Sequence, residues 1–270
     1  MTILITGAAG TVGTGLRREF GHGQRRLRLF DLQDVPQLAA HEESMRGDIG
    51  DVAALAKAMQ GVGAVIHLAG CTTDAAIDAQ IEGNIRGAWN VFEAARTADV
   101  ERVVFASSHH VVGYYPRSRR IGTQSLLRPD SRYGLTKAFG EQVGAMFADK
   151  YGLRVMCIRI GFVHDEPIDA RRLAIWSSWR DLAQLVGIGL DHPALRYAVV
   201  YGVSANSRSF FDNDSAFQLG YRPQDNAEDF AQAVLADSPP EDPARVGTHV
   251  IGGWAANNEF VGPLERVQEW

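Results

Sequence analysis

The sequence predicts an α/β fold, a doubly wound parallel sheet with helices on both faces and a small C-terminal substrate-binding lobe. Short apolar runs typical of buried strands alternate with longer segments whose apolar residues repeat at helical spacing. Strands that alternate with helices form parallel sheets, because each helix carries the chain back to start the next strand. The 270 residues are 46% hydrophobic and 22% charged, as in ordinary globular proteins.

Each predicted strand is a short apolar run: Thr2–Thr6, Leu27–Phe30, Ala64–Leu68, Arg102–Ala106 and Val155–Arg159. Between them lie the predicted helices: Val12–Phe20, Val52–Gln60, Asn84–Thr97 and Tyr133–Tyr151. Past about residue 165 the alternation weakens. We therefore expect a nucleotide-binding domain at residues 1–165 and a small region at 166–270 that folds onto it and supplies substrate contacts.

Charge and cysteine content exclude several functions. The formal net charge of −5 argues against a nucleic-acid-binding surface, which is usually basic. Two cysteines, Cys71 and Cys157, are too few for a disulfide framework and suit a reducing compartment. The chain contains no run of about 18 apolar residues. We expect a cytoplasmic protein with no membrane partner.

A glycine-rich loop joins the first predicted strand to the first predicted helix. Glycines at this point allow a tight turn and bring the backbone close to a pyrophosphate, which the helix N-terminus attracts. A strand before and a helix after the loop are the context that a Rossmann dinucleotide site requires. The predicted cofactor contacts here are Gly7, Ala9, Gly10, Thr11, Val12 and Gly13.

Two acidic residues further along the chain predict which dinucleotide binds. Asp31 ends the second strand, where a carboxylate accepts hydrogen bonds from the adenosine ribose and repels a 2′-phosphate. Leu32 follows, and no arginine stands beside it, so NAD is favoured over NADP. Asp48, with Ile49, is placed to reach the adenine, whereas Asp51 is better explained as a helix cap.

A tyrosine and a lysine four residues apart are candidate catalytic groups. Tyr133 and Lys137 share one face of a predicted helix. A free tyrosine has a pKa near 10. A nearby cation lowers that pKa and lets the phenolate act as a base. Taken alone, the pair could equally be a core aromatic residue and a solvated charge.

Ser108 ends the strand that precedes this helix, at the carboxyl edge where doubly wound sheets bind ligands. The order of glycine loop, Asp31, His67-Leu68-Ala69-Gly70, Asn84, Ser108, Tyr133 and Lys137 resembles the extended short-chain dehydrogenase/reductase family, which includes NAD-dependent epimerases and dehydratases. The resemblance implies catalysis by Ser108, Tyr133 and Lys137. It also implies further cofactor contacts at Leu68, Ala69, Gly70, Asn84, Ala106, Tyr133, Lys137 and Ile160.

Within that family the chain is most similar to bacterial uronate dehydrogenases. The similarity lies in Phe105-Ala106-Ser107-Ser108-x-His110, Gly113-Tyr114-Tyr115-Pro116, Arg159-Ile160-Gly161 and Ala205-Asn206. It implies NAD-dependent oxidation of galacturonate or glucuronate at C1 to an aldarolactone, and a homo-oligomer.

The implied substrate contacts are Thr72, Ser108, His109, His110, Tyr133, Phe162 and Arg171. Arg171 corresponds to the arginine that pairs with the sugar carboxylate, a geometry that suits a guanidinium. His109 stands in place of an asparagine and Phe162 in place of a serine, so the substrate could differ from the two common uronates. The two histidines could instead lie behind the site, and Arg171 could be a solvated helix start.

Three alternatives stay open: an NAD-dependent aldose dehydrogenase acting on another sugar, an epimerase or dehydratase that retains its NAD, and a non-catalytic NAD-sensing protein. The sequence offers no spacing of histidines that suggests a metal site.

Overall fold

The computed structural model describes residues 1–21, 25–72 and 75–268. Nine strands lie in these residues: β1 (Thr2–Thr6), β2 (Arg26–Asp31), β3 (Glu42–Arg46), β4 (Val62–His67), β5 (Arg102–Ser108), β6 (Arg154–Ile160), β7 (Phe162–Val163), β8 (Trp176–Ser177) and β9 (Tyr197–Gly202). Seven of them form one parallel sheet in the order β3-β2-β1-β4-β5-β6-β9, and β7 pairs with β8. This is the predicted doubly wound sheet.

Helices connect the strands. In the described residues the α-helices are α1 (Thr11–Phe20), α2 (Val52–Ala58), α3 (Ile77–Gln80), α4 (Gly87–Thr97), α5 (Arg132–Tyr151), α6 (Arg172–Ile175), α7 (Trp179–Asp191), α8 (Asp214–Gln218), α9 (Ala231–Asp237), α10 (Val246–His249), α11 (Trp254–Asn257) and α12 (Glu265–Gln268). A π-helix (Ile81–Arg86) and two 3-10 helices (His109–Val112 and Ala227–Phe230) complete them. We find none with the length and apolar character that crossing a bilayer requires.

Both faces of the sheet are covered by apolar helix surfaces. On one face, Leu16 of α1 and Leu185 of α7 lie in one buried apolar cluster with residues of β1 and β5. On the other, α4 and α5 bury Phe92 and Phe147 against β4 and β5. Parallel sheets require such cover because the strands are apolar on both sides. The core therefore lies in two layers, and the polar strand ends are left at the carboxyl edge.

Helix α5 carries the predicted catalytic pair and has defined ends. The Ser131 hydroxyl accepts a hydrogen bond from the Gly134 amide and caps the first turn. Gly152 ends the helix with φ of 73°, a left-handed conformation that favours glycine. Asp51 caps α2 through the amides of Ala53 and Ala54, as expected.

The sheet extends beyond residue 165. Helix α7 packs on α1, and β9 pairs with β6 from Val155↔Tyr197 to Ile160↔Gly202. These elements lie in the stretch that the sequence analysis placed in the C-terminal region. The sequence pattern did not reveal them, because their apolar runs are short and separated by irregular segments. The remaining C-terminal residues pack beside the end of the sheet, with Val250 bridged to Pro116.

Candidate active site

The glycine-rich loop leaves β1 and enters α1 with almost no space for side chains. Gly7 has φ of +73°, and a Cβ atom there would lie 2.6 Å from the Ala69 amide nitrogen. A Cβ on Gly13 would lie 2.6 Å from the Gly7 carbonyl oxygen. Gly10 is the N-cap of α1 and has no side-chain cap, so the first amides of the helix stay available to an anion.

Asp31 lies beside this loop at the end of β2. Its Oδ2 accepts a hydrogen bond from the Ala9 amide at 2.9 Å, and its Oδ1 accepts one from the Gln33 amide at 3.0 Å. These two bonds fix the carboxylate at the mouth of the loop, where the sequence places the ribose contact. Leu32 is exposed beside it.

A cavity of about 510 Å³ runs along the carboxyl edge from the glycine loop. It brings together predicted cofactor residues from four strand ends: Gly7, Ala9, Gly10, Asp31, Leu32, Asp48, Ile49, Leu68, Ala69 and Gly70. The tight glycine cradle, the free helix amides and the fixed carboxylate fit the pyrophosphate and ribose of NAD.

A second cavity of about 380 Å³ shares Gly7, Gly10, Leu68 and Gly70 with the first, so the two adjoin. It brings together the other predicted residues of the loop, the strand ends and α5: Thr11, Val12, Gly13, Thr72, Ala106, Ser108, His109, His110, Tyr133, Lys137 and Ile160. The predicted catalytic trio and most of the predicted substrate contacts therefore face one space. Their roles stay predictions.

Burial controls the charge of the tyrosine–lysine pair. The Lys137 Nζ lies 5.6 Å from the centre of the Tyr133 ring. Burial raises the pKa of Tyr133 to about 12, the Ser108 hydroxyl opposes this shift, and the anion of Asp130 adds to it. Burial also lowers the pKa of Lys137 to about 8. The Tyr133 pKa is thus raised rather than lowered as expected, because desolvation is the dominant cause.

A buried ion pair supports the strand that ends at Ser108. The Arg159 guanidinium donates two hydrogen bonds to the Glu141 carboxylate, both at 2.9 Å, and both side chains are almost fully buried. The Ser107 hydroxyl donates to the same carboxylate at 2.6 Å. This network ties the end of β5 to β6 and α5, which holds the neighbouring Ser108 at the cavity.

Asn84 was predicted as a cofactor contact, but its carboxamide is engaged with the protein. Its Oδ1 accepts a hydrogen bond from the Cys71 amide at 2.6 Å, and its Nδ2 donates to the Thr136 hydroxyl at 2.9 Å. Thr136 in turn donates to the Tyr133 carbonyl. The side chain lines neither of the two cavities. Asn84 therefore joins the Gly70 loop to the helix of Tyr133, and the π-helix turns it inward.

Asp130 is a functional candidate that the sequence analysis missed. Its buried carboxylate lies 2.7 Å from the His110 Nδ1 and accepts a hydrogen bond from the Ser131 hydroxyl. A Cβ on Gly113 or on Gly252 would collide with this carboxylate, so the surrounding chain is shaped around it. An aspartate just before a serine N-cap resembles an ordinary helix start, which is why its sequence position gave no signal.

Arg171 and Phe162 lie outside the second cavity. Arg171 is buried, and its Nη1 donates to the Ile251 carbonyl at 2.9 Å. Burial, and to a lesser extent the positive charge of Arg172, lowers the pKa of Arg171 to about 10. The positive charge of Arg171 in turn lowers the pKa of His109. Phe162 is half-buried, with the Arg172 guanidinium 4.6 Å from its ring centre. Phe162 therefore packs against Arg172 and does not line the second cavity.

Comparison with known proteins identifies the family. A sequence model described as the NAD dependent epimerase/dehydratase family matches residues 3–163, more than half of the chain. The chain belongs to this family. The glycine loop, Asp31 and the sheet order are consistent with this family. Together with the relatives described next, membership identifies the protein as an NAD-dependent oxidoreductase.

Several similar proteins that match nearly the whole chain are sugar dehydrogenases. A uronate dehydrogenase of Pseudomonas putida is 40% identical over 257 residues, covering 93% of this chain and 96% of that protein. An NAD-dependent glucose-6-phosphate dehydrogenase of Haloferax volcanii is 36% identical, covering 84% of this chain and 95% of that protein. The crystal structure of an Agrobacterium tumefaciens uronate dehydrogenase variant complexed with NAD superposes with a TM-score of 0.91 at 36% identity, covering 96% and 98% of the two chains.

The chain is thus an NAD-dependent sugar dehydrogenase of the uronate dehydrogenase type. In the described residues we find no group of three or more histidine, cysteine, aspartate or glutamate side chains that could hold a metal ion.

Proposed function

We propose that the protein oxidises a hexuronate, such as galacturonate or glucuronate, at C1 to the aldarolactone. The observation that carries the proposal is Arg171, a buried guanidinium that donates to the Ile251 carbonyl and forms no ion pair with a carboxylate among the described residues. A buried cation without an anionic partner is costly, so a ligand carboxylate is its natural complement. Arg171 lines a separate cavity and acts electrostatically on His109, which lines the catalytic one, so the proposal requires a substrate carboxylate that reaches from the catalytic cavity towards Arg171.

Tyr133 is proposed to be the base. In its phenolate form it takes the proton of the C1 hydroxyl while the hydride leaves C1, and the C1–O bond becomes the lactone carbonyl. The Ser108 hydroxyl stabilises the oxygen on which charge develops, as a preorganised donor. NAD, when bound, supplies the hydride acceptor and a positive ring beside the site. Lys137 is a second cation near Tyr133. Positive charge is needed there to stabilise the phenolate, because burial and Asp130 raise the pKa of Tyr133.

A second candidate is a hexose 6-phosphate, the substrate class in the name of the Haloferax relative. One observation favours it: a cavity of about 370 Å³ on the outer side of Arg171 is also lined by Arg117, Arg172 and Arg245. Each of these three arginines already has a carboxylate partner, Glu241, Asp169 and Asp242 respectively. One cation is left, Arg171, which matches the single charge of a uronate better than a phosphate dianion.

The test is NADH formation, followed by absorbance, with galacturonate, glucuronate, galactose, glucose and glucose 6-phosphate. We expect turnover of the uronates alone. Arg171→Ala should raise KM for the uronate by at least about tenfold, since a charged hydrogen bond is worth about 1.5–3 kcal/mol. Arg245→Ala, an exposed arginine of the same cavity, is the matched control. Preferred turnover of glucose 6-phosphate or of a neutral sugar would overturn the choice of a hexuronate.

A further inference from the structure

His109 is the first residue of the 3-10 helix that follows β5. Its ring is buried and lies 4.1 Å from the ring of His110, centre to centre. It lines the cavity that also holds Ser108, Tyr133 and Thr72. The side chain is therefore a buried part of the wall of this cavity.

The hydrogen bond of its Nδ1 fixes the tautomer of His109. This nitrogen lies 3.1 Å from the Ile160 carbonyl oxygen. A carbonyl oxygen only accepts hydrogen bonds, so the proton of the neutral ring must sit on Nδ1. The Nε2 of His109 is then left with a lone pair and acts only as an acceptor.

That Nε2 atom has no hydrogen-bond partner among the described residues, although it is buried. Protonation of the ring does not relieve this, because burial, with His110 and Arg171 nearby, holds the pKa of His109 well below its usual range. His110 differs, since the Asp130 carboxylate faces its Nδ1. The wall thus contains one histidine that stays a neutral acceptor and a neighbour whose positive form has an anionic partner. A buried acceptor left without a donor is unfavourable, so a ligand donor is expected there.

We propose that the Nε2 of His109 accepts a hydrogen bond from one hydroxyl of the bound sugar, and that the protein thereby selects substrates carrying a donor at that position. This rests on the proposed function, in that the ligand is a sugar oxidised at the neighbouring Tyr133. A substituent that only accepts, such as fluorine, or one that does neither, such as hydrogen, leaves the nitrogen unpaired.

The test compares kcat/KM of the wild type and of His109→Asn for the preferred sugar and for its monodeoxy and deoxyfluoro analogues at C2, C3 and C4. At one of these carbons we expect both the deoxy and the deoxyfluoro analogue to lower the kcat/KM of the wild type by about tenfold to 100-fold. An asparagine amide group can donate a hydrogen bond to fluorine, which only accepts. In His109→Asn the kcat/KM of the fluoro analogue should therefore rise relative to that of the deoxy analogue. Thermal unfolding of both proteins checks that the variant folds.

Equal tolerance of every fluoro analogue by the wild type would overturn the inference. So would a variant whose only change is a higher KM for NAD, because that result would assign the Nε2 to the cofactor carboxamide. NMR of the histidine ring nitrogens separates this inference from the proposed function. If no uronate is oxidised, a His109 that titrates near neutral pH or carries its proton on Nε2 still refutes the inference. A ring that stays neutral and protonated on Nδ1 supports it.

Discussion

Replacing Asp130 by asparagine tests how the buried carboxylate behind the site affects catalysis. The change keeps the shape of the side chain and removes its charge. Asp130 accepts from the Ser131 hydroxyl and faces the His110 Nδ1, each at 2.7 Å, and its side chain is fully buried. The carboxylate therefore orients His110 and also acts electrostatically on Tyr133.

Two effects of known direction follow from Asp130→Asn. A hydrogen bond to a charged group contributes about 1.5–3 kcal/mol, so loss of the oriented His110 should lower kcat/KM by about tenfold to 100-fold. The anion of Asp130 raises the pKa of Tyr133, so its removal lowers that pKa. Activity that depends on the phenolate rises with pH, and this rise should move to lower pH in the variant.

The assay is the pH dependence of kcat/KM for the preferred sugar, measured by NADH formation. Asp149→Asn, which makes the same change at an exposed position near the end of α5, is the control and should match the wild type. A rate profile of Asp130→Asn that is unchanged, or displaced to higher pH, would refute the reasoning.

Two further predictions concern the cofactor cradle and the buried ion pair. Gly7→Ala places a Cβ 2.6 Å from the Ala69 amide nitrogen at a φ of +73°, so NADH affinity measured by fluorescence should fall at least about tenfold; unchanged affinity would contradict the cradle. Glu141→Gln leaves Arg159 as a buried cation without its carboxylate, and urea unfolding should show a loss of about 3–5 kcal/mol; a loss below about 1 kcal/mol would show that the pair contributes little.

The cofactor half of the site could be predicted because its chemistry is carried by backbone and by sequence order. Glycines that open a helix after a strand, and an acidic residue that ends the next strand, are local patterns with one common use. In the structure Gly7, Gly10 and Asp31 line the same cavity. The predicted strands and helices agree with the observed ones to within a few residues, because their apolar repeats are regular.

Residues that act through tertiary contacts were not predictable in the same way. Asp130 meets His110 only after the loop following β5 folds back onto α5, so neither position identifies the other in the sequence. Asn84 was identified, but its carboxamide faces the protein because a π-helix, which leaves no distinct sequence pattern, turns it inward. Strand β9 was missed because its neighbours are irregular, although it completes the sheet.

The tyrosine–lysine pair shows why spacing alone does not determine chemistry. Four-residue spacing correctly places Tyr133 and Lys137 on one face of α5, yet the same burial that encloses them raises the pKa of the first and lowers that of the second. Each shift disfavours the charged form that catalysis by a phenolate needs. The groups near Tyr133 shift the balance between phenol and phenolate: Ser108 favours the phenolate and Asp130 opposes it. In the proposed mechanism Tyr133 becomes a base mainly when further positive charge enters the cavity, which would link proton removal from the sugar to binding of the oxidised nicotinamide.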